Sequence, residues 1–199
     1  MIALIDYGSG NVRSVFNALK FHGADVRLTA DLAEIDSAEK VVLPGVGAFG
    51  DCVSGLRERG LWEPMQAWLA SGRPFLGICV GYQMLFEESE ESPGVAGLGF
   101  FGGKVRRFDT PGLKVPQIGW NSLDFQPHPL WAGLAEKSHV YFVHSYYPEP
   151  TDEKCIIARS TYGVPFAAAT ARGNVAGVQF HPEKSQAVGL GILKNFLVG

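Results

Sequence analysis

An apolar run, Phe75-Leu76-Gly77-Ile78, leads into Cys79, and the chain continues Val80-Gly81-Tyr82-Gln83. Gly-x-Cys-x-Gly between a strand and a helix is the cysteine form of a nucleophile elbow. Glycine on each flank lets a tight turn pass without Cβ clashes. Such a turn lifts the sulfur to the carboxyl edge of a parallel sheet, where α/β clefts form. Free N–H groups at the start of the next helix favour a thiolate. The Val80 N–H points at any oxyanion formed there.

A second signal is Val178-Gln179-Phe180-His181-Pro182-Glu183, a strand pattern ending at a histidine. Residues i and i+2 of extended chain project to the same side. Glu183 can therefore reach the His181 ring, set its tautomer and stabilise its charged form. His181 can take a proton from Cys79 and hand it to a departing nitrogen. Taken singly, each motif also fits a structural role: a buried cysteine in a Gly-rich bend, or a strand-end histidine with an incidental ion pair. Their conjunction at carboxyl ends of strands argues for nucleophilic catalysis by Cys79, His181 and Glu183.

Two Gly-rich segments add to this. Pro44-Gly45-Val46-Gly47 follows a strand and offers N–H groups to an incoming oxygen. Val46 and Gly47 are the expected second oxyanion donor beside Val80. Phosphate binding is the rival, but the Lys-Ser/Thr of a P-loop is missing. Asp6-Tyr7-Gly8-Ser9-Gly10-Asn11 starts like a dinucleotide fingerprint, but Arg13 stands where its third glycine belongs. A structural turn or a partner-facing loop remains for it. Cys52 and Cys155 lack any such setting and read as structural. The three cysteines are widely spaced, without Cys-x-x-Cys, which argues against a disulfide framework and a zinc site. Of the other histidines, His144 is the one at the far end of a strand, placed to line the cleft.

The elements that must position these residues change character along the chain. Ile2–Ile5, Val26–Thr29, Val41–Leu43 and Pro74–Ile78 read as short buried strands. Val12, Val15, Phe16 and Leu19 mark one face of a helix that Gly23 ends. Apolar positions from Leu56 to Leu69 read as helical up to Gly72, with a break near Gly60, and residues 81–88 as a helix after Cys79. Alternating β and α units imply a parallel sheet. Beyond Gly94 the expected strands are Phe100–Phe108, Val115–Gly119, Ser122–Phe125, His139–His144, Cys155–Ser160 and Val175–Phe180, with a helix over Gly189–Val198. The fold class is α/β: a single domain, residues 1–199, with a central largely parallel sheet flanked by helices and antiparallel strands in the second half. A flavodoxin-like sheet is the expectation. With 46% hydrophobic and 19% charged residues and a net charge of −3, neither a nucleic-acid surface nor a membrane span is expected. The start, Met1–Asp6, reads as a strand rather than a signal peptide, so a cytoplasmic location is expected.

Together, Pro44-Gly45-Val46-Gly47, Gly77-Ile78-Cys79-Val80-Gly81-Tyr82-Gln83 and His181-Pro182-Glu183 resemble the class I, triad-type glutamine amidotransferases. Gly119-Trp120-Asn121, Val143-His144-Ser145-Tyr146-Tyr147 and Lys184-Ser185-Gln186 narrow the resemblance to the glutaminases of histidine biosynthesis, over essentially the whole length. It implies release of ammonia from glutamine through a Cys79 thioester, with no metal or organic cofactor. It implies glutamine held by Gly47, Gln83, His144, Ser145 and Tyr146. It also implies a heterodimer with a (β/α)₈-barrel cyclase that receives the ammonia, with Asn11, Trp120 and Lys184 near the interface and ammonia gate. Val80, Tyr82 and Gln117-Ile118 depart from the family pattern at leucine, methionine and His-Met positions, the last in a segment expected to face the partner. The rivals are the glutaminases of anthranilate-type synthases, a stand-alone cysteine hydrolase, and a non-enzymatic binding subunit.

Overall fold

The computed structural model describes residues 1–8 and 10–199. The first half runs β1 (Ile2–Ile5), α1 (Val12–Phe21), β2 (Val26–Thr29), α2 (Leu32–Ser37), β3 (Lys40–Gly45), α3 (Phe49–Glu58), α4 (Trp62–Ala70), β4 (Phe75–Cys79) and α5 (Val80–Gln83). The second half runs β5 (Glu88–Ser89), β6 (Gly103–Arg107), β7 (Gln117–Ser122), β8 (Asp124–Phe125), β9 (His139–His144), β10 (Tyr146–Pro150), β11 (Ile156–Tyr162), β12 (Val164–Arg172), β13 (Val175–Val178) and α6 (Gln186–Val198). Among the described residues the main sheet has the order β2-β1-β3-β4-β13-β12-β11-β8. The run from β2 to β13 is parallel, and β12, β11 and β8 add antiparallel at one edge. Helix α1 packs on α6, and α3 packs on α4 and α5. None of the helices is long and apolar enough to cross a membrane among the described residues.

The expected parallel half is present, and β1, β3 and β4 are buried without alternation because helices cover the sheet, while the edge strand β2 is buried only at its two ends. Gly60 closes α3 with φ 64° and separates it from α4, the expected break. Several features differ from the expectation: β5 and β10 were not anticipated, β7 runs on through Ser122 where a break after Gly119 was expected, and three further differences have clear causes. Helix α5 stops at Gln83 rather than running to residue 88. The carbonyls of Met84, Leu85, Phe86 and Glu87 accept from the N–H groups of Leu98, Phe101, Gly99 and Gly97, so the next helical turn never forms. Helix α2 was not anticipated; its six residues bury only Ile35, too little to mark a period, although Asp31 caps it by accepting from the Ala33 and Glu34 N–H groups. Strand β12 was missed as well. Its Ala-rich centre has low β-propensity, but it lies between β11 and β13, and Ala167, Ala168 and Ala169 are buried.

One connection decides the site. β13 is the last strand in sequence, yet it inserts beside β4, in register from Val175↔Phe75 to Val178↔Ile78. On the other side of β4, Gly45 of β3 pairs with Cys79. Three strand ends, from residues 45, 79 and 178, thus meet at one carboxyl edge.

The elbow leaves no room at Gly81. A Cβ there would sit 2.0 Å from the Leu43 carbonyl oxygen, a backbone atom that no side-chain rotation can relieve. Gly81→Ala is expected to destabilise the fold by at least about 1–3 kcal/mol, read as a lower urea midpoint with an unchanged slope. An unaltered midpoint would contradict this packing.

Candidate active site

Cys79 ends β4 with φ 55° and ψ −110°, a conformation L-residues rarely adopt. Its side chain is buried and faces a cavity of about 240 Å³ lined by Val46, Gly47, Cys79, Val80, Gln83, Glu91, Pro116, Val143, His144, Ser145, Tyr146 and His181. Helix α5 is a single turn, so what it offers the sulfur is its first N–H groups rather than a long aligned dipole.

His181 reaches the same cavity from beyond β13. Its N–H donates to the Tyr141 carbonyl at 2.9 Å, which clips it to β9. Ser185 secures the turn from inside: its hydroxyl donates to the His181 carbonyl at 2.7 Å and accepts from the Tyr141 N–H at 3.0 Å. Glu183 follows in a short 3₁₀ turn opened by Pro182. The His181 Nδ1 to Glu183 Oε1 distance is 2.8 Å, with the two side chains 2% and 0% exposed. Nδ1 therefore carries the proton, and Nε2, which has no hydrogen-bond partner among the described residues, is left to the cavity side. Burial alone would depress this imidazole. The Cys79 sulfur and the Glu183 carboxylate outweigh burial and raise it above its ordinary value, favouring the imidazolium.

The loop after β3 lies beside Cys79, with Gly47 at φ 99°, where a side chain would be strained. The Cys52 thiol donates to the Val46 carbonyl at 3.5 Å. Across a trans peptide the Gly47 N–H points the opposite way, away from Cys52.

The glutamine-binding set expected from the sequence, Gly47, Gln83, His144, Ser145 and Tyr146, all lines this cavity. Gln83 serves first as a wall: its amide NH2 donates to the Tyr146 carbonyl at 3.0 Å and to Gln179 Oε1 at 3.1 Å. Gln179 was given no role on sequence grounds, yet its Nε2 lies 3.8 Å from the Cys79 sulfur. The available signal was its position two residues before His181 in extended chain, hence on the same side. Glu91 was also missed. It lies three residues beyond the segment expected to be helical, lines the cavity and accepts from the Phe49 N–H at 2.8 Å.

Of the expected interface residues, Trp120 and Lys184 flank one aromatic ring. Trp120, 46% exposed, meets the Tyr141 ring edge-on at 6.0 Å, and Lys184 Nζ lies 6.0 Å above that ring. Asn11 instead turns its amide to Glu183. The Gln117-Ile118 pair divides. Ile118 is 63% exposed, while Gln117 is buried against His144 and does not face outward as expected. No group of three metal-ligating side chains occurs among the described residues.

The family model of class-I glutamine amidotransferases matches residues 3–199 of this chain. The chain belongs to that family. Among curated relatives, it is 51% identical to the imidazole glycerol phosphate synthase subunit HisH of Syntrophotalea carbinolica, over 98% of each chain. It is also 51% identical to the subunit of that name from Trichodesmium erythraeum, over 98% of this chain and 93% of the relative. Solved structures share the fold at lower identity. A glutamine amidotransferase crystal structure superposes with a TM-score of 0.79 at 21% identity, over 100% and 98% of the two chains. The PurLQS structure from Thermotoga maritima gives 0.79 at 21%, over 99% and 97%.

His144 provides a test of the cavity's electrostatics. Its Nδ1 lies 2.7 Å from the Tyr146 carbonyl and its Nε2 3.1 Å from Gln117 Oε1. A neutral ring has one donor, so Nδ1–H goes to Tyr146 and Gln117 must turn its NH2 to Nε2. Burial, reinforced by the charge of His181 and opposed by the Tyr146 bond, lowers this imidazole to about 4. In the unfolded chain it titrates near 6.5. The neutral ring's contribution is thus complete above pH 6.5 and lost as pH falls towards about 4. Between those limits, unfolding free energy should fall by about 3 kcal/mol more in the native chain than in His144→Gln, measured by urea titration at each pH. Parallel pH curves would contradict a buried neutral ring.

Proposed function

We propose that the chain is the glutaminase subunit of an imidazole glycerol phosphate synthase, acting as one amidotransferase domain over residues 1–199. The observation that carries the chemistry is that His181, bonded to the buried Glu183, lines one cavity with Cys79. The relatives named above support the particular assignment.

In this reading Cys79 Sγ attacks the side-chain amide carbon of L-glutamine. The thiol proton passes to His181 Nε2, and the negative charge gathers on the former carbonyl oxygen. The Val80 N–H and the Val46/Gly47 loop stabilise that oxyanion; one such donor is worth about 2.7–4 kcal/mol. His181 returns the proton to the nitrogen, the C–N bond breaks, and ammonia leaves. Water then attacks the γ-glutamyl thioester while His181 takes its proton. The thioester opens, the proton returns to sulfur, and glutamate is released. Glu183 holds His181 in the tautomer that presents Nε2.

Gly47, Gln83, His144, Ser145 and Tyr146 shape the glutamine cavity, and Glu91 supplies a carboxylate suited to the substrate's α-ammonium. Ammonia passes to a (β/α)₈-barrel cyclase in histidine biosynthesis, within a cytoplasmic heterodimer. The shielding has a chemical reason: at neutral pH in bulk water ammonia becomes ammonium, which is no nucleophile. Trp120 and Lys184 line the docking face with Ile118, which shares one side of β7 with Trp120. Asn11, also expected at that interface, turns its amide to Glu183.

Glutamate release from glutamine, with the chain alone, with cyclase, and with cyclase plus its ribonucleotide ligand, tests this reading. Turnover should rise strongly with cyclase and fall at least about a thousand-fold in Cys79→Ala. Turnover that depends on Cys79 but ignores the cyclase would keep the amidotransferase and discard the histidine assignment.

A further inference from the structure

We propose that Asn11 is a positioning residue for Glu183, so that the charge network behind Cys79 depends on a loop at the opposite end of the sequence; this rests on the catalytic reading above. Asn11 stands at the N-cap of α1, where asparagine ordinarily accepts a hydrogen bond from the first helical turn. Here it makes no such bond. Its backbone sits at φ 67° and ψ 3°, a left-handed conformation that asparagine tolerates better than most residues with a Cβ. From there its Nδ2 donates to Glu183 Oε1 at 2.6 Å, across 172 positions of sequence. A good capping residue has been turned away from its helix and onto the buried carboxylate.

The same oxygen therefore receives two donors, Asn11 Nδ2–H and His181 Nδ1–H, while Oε2 is buried without a partner among the described residues. With Asn11 in place the carboxylate has one orientation, Oε1 towards the imidazole. Without it, one hydrogen bond remains to hold a buried anion, and rotation about the Cβ–Cγ and Cγ–Cδ bonds would swing the carboxylate away from Nδ1. The imidazole would then lose its fixed partner, and with it the tautomer that aims Nε2 at the cavity. Gly10 strengthens the coupling. A Cβ at that position would lie 3.2 Å from Val46 Cγ2, so the residues that carry the amide also rest against the proposed oxyanion loop.

Asn11→Gly separates the amide from the backbone, because glycine adopts the left-handed conformation freely and is tolerated at an N-cap. Asn11→Asp keeps shape and backbone but cannot donate to Glu183. Two readouts are taken in the complex with saturating cyclase: kcat and KM for glutamate release, and the pH dependence of Cys79 alkylation by iodoacetamide. Cyclase affinity is measured alongside. Both variants should lose about ten- to a hundred-fold in kcat with KM little changed, and should alter the alkylation profile. If both variants keep wild-type kcat and alkylation, or lose only cyclase affinity, the inference is overturned and the catalytic reading stands. If the wild-type complex releases no glutamate in a Cys79-dependent manner, both fall together.

Discussion

The backbone of Cys79 occupies φ 55°, ψ −110°, which costs a residue with a Cβ about 1–3 kcal/mol. Such a conformation persists only where the surroundings over-determine it, and here they do. β4 is paired along its length with β3 and β13, so its end cannot slide. Gly81 lies so close to the Leu43 carbonyl that the turn fits against β3 only without a Cβ. Tyr82, wholly buried, packs its ring where Gly177 of β13 has no side chain. The carbonyls beyond Gln83 are taken by residues 97–101, which fixes the exit as firmly as the entry. The strain is spent on aiming a sulfur out of the sheet edge into a cavity.

The remaining catalytic groups follow from that placement. Register alone puts Gly45 beside Cys79 and Val178 beside Ile78, so the loop after β3 and the chain after β13 must flank the sulfur. His181 is then held from two directions: β9 takes its backbone N–H, and Glu183 takes its ring. Polar side chains behind the cavity interlock, with Gln83 bridging Tyr146 and Gln179, and Gln179 near the sulfur. A buried network of this kind is rigid when its members are satisfied. The two buried side-chain atoms of this region that lack partners among the described residues, His181 Nε2 and Glu183 Oε2, belong to the groups that the proposed mechanism uses or orients.

Much of this was legible from the sequence where signals are local. The elbow glycines, the strand-end His-Pro-Glu and the short apolar strands each carry their geometry within a few residues. Val26–Thr29 and His139–His144 have the expected bounds. What could not be read required partners distant in sequence. β12 becomes a strand because β11 and β13 enclose an Ala-rich segment that has little propensity of its own. α5 ends early because of residues 97–101. Gln117 turns inward because a buried histidine needs a partner for its second nitrogen. Glu91 and the Asn11–Glu183 contact depend on the same long-range folding, which no motif announces.

The central claim is that this backbone presents Cys79, and no other group, as the nucleophile. The most direct measurement is mass spectrometry of peptides from the cyclase complex, acid-quenched during turnover of glutamine. The account predicts one γ-glutamyl group on the peptide carrying Cys79, absent when glutamine is omitted. Glutamate release with no adduct on that peptide, or with the adduct on Cys52 or Cys155, would contradict it.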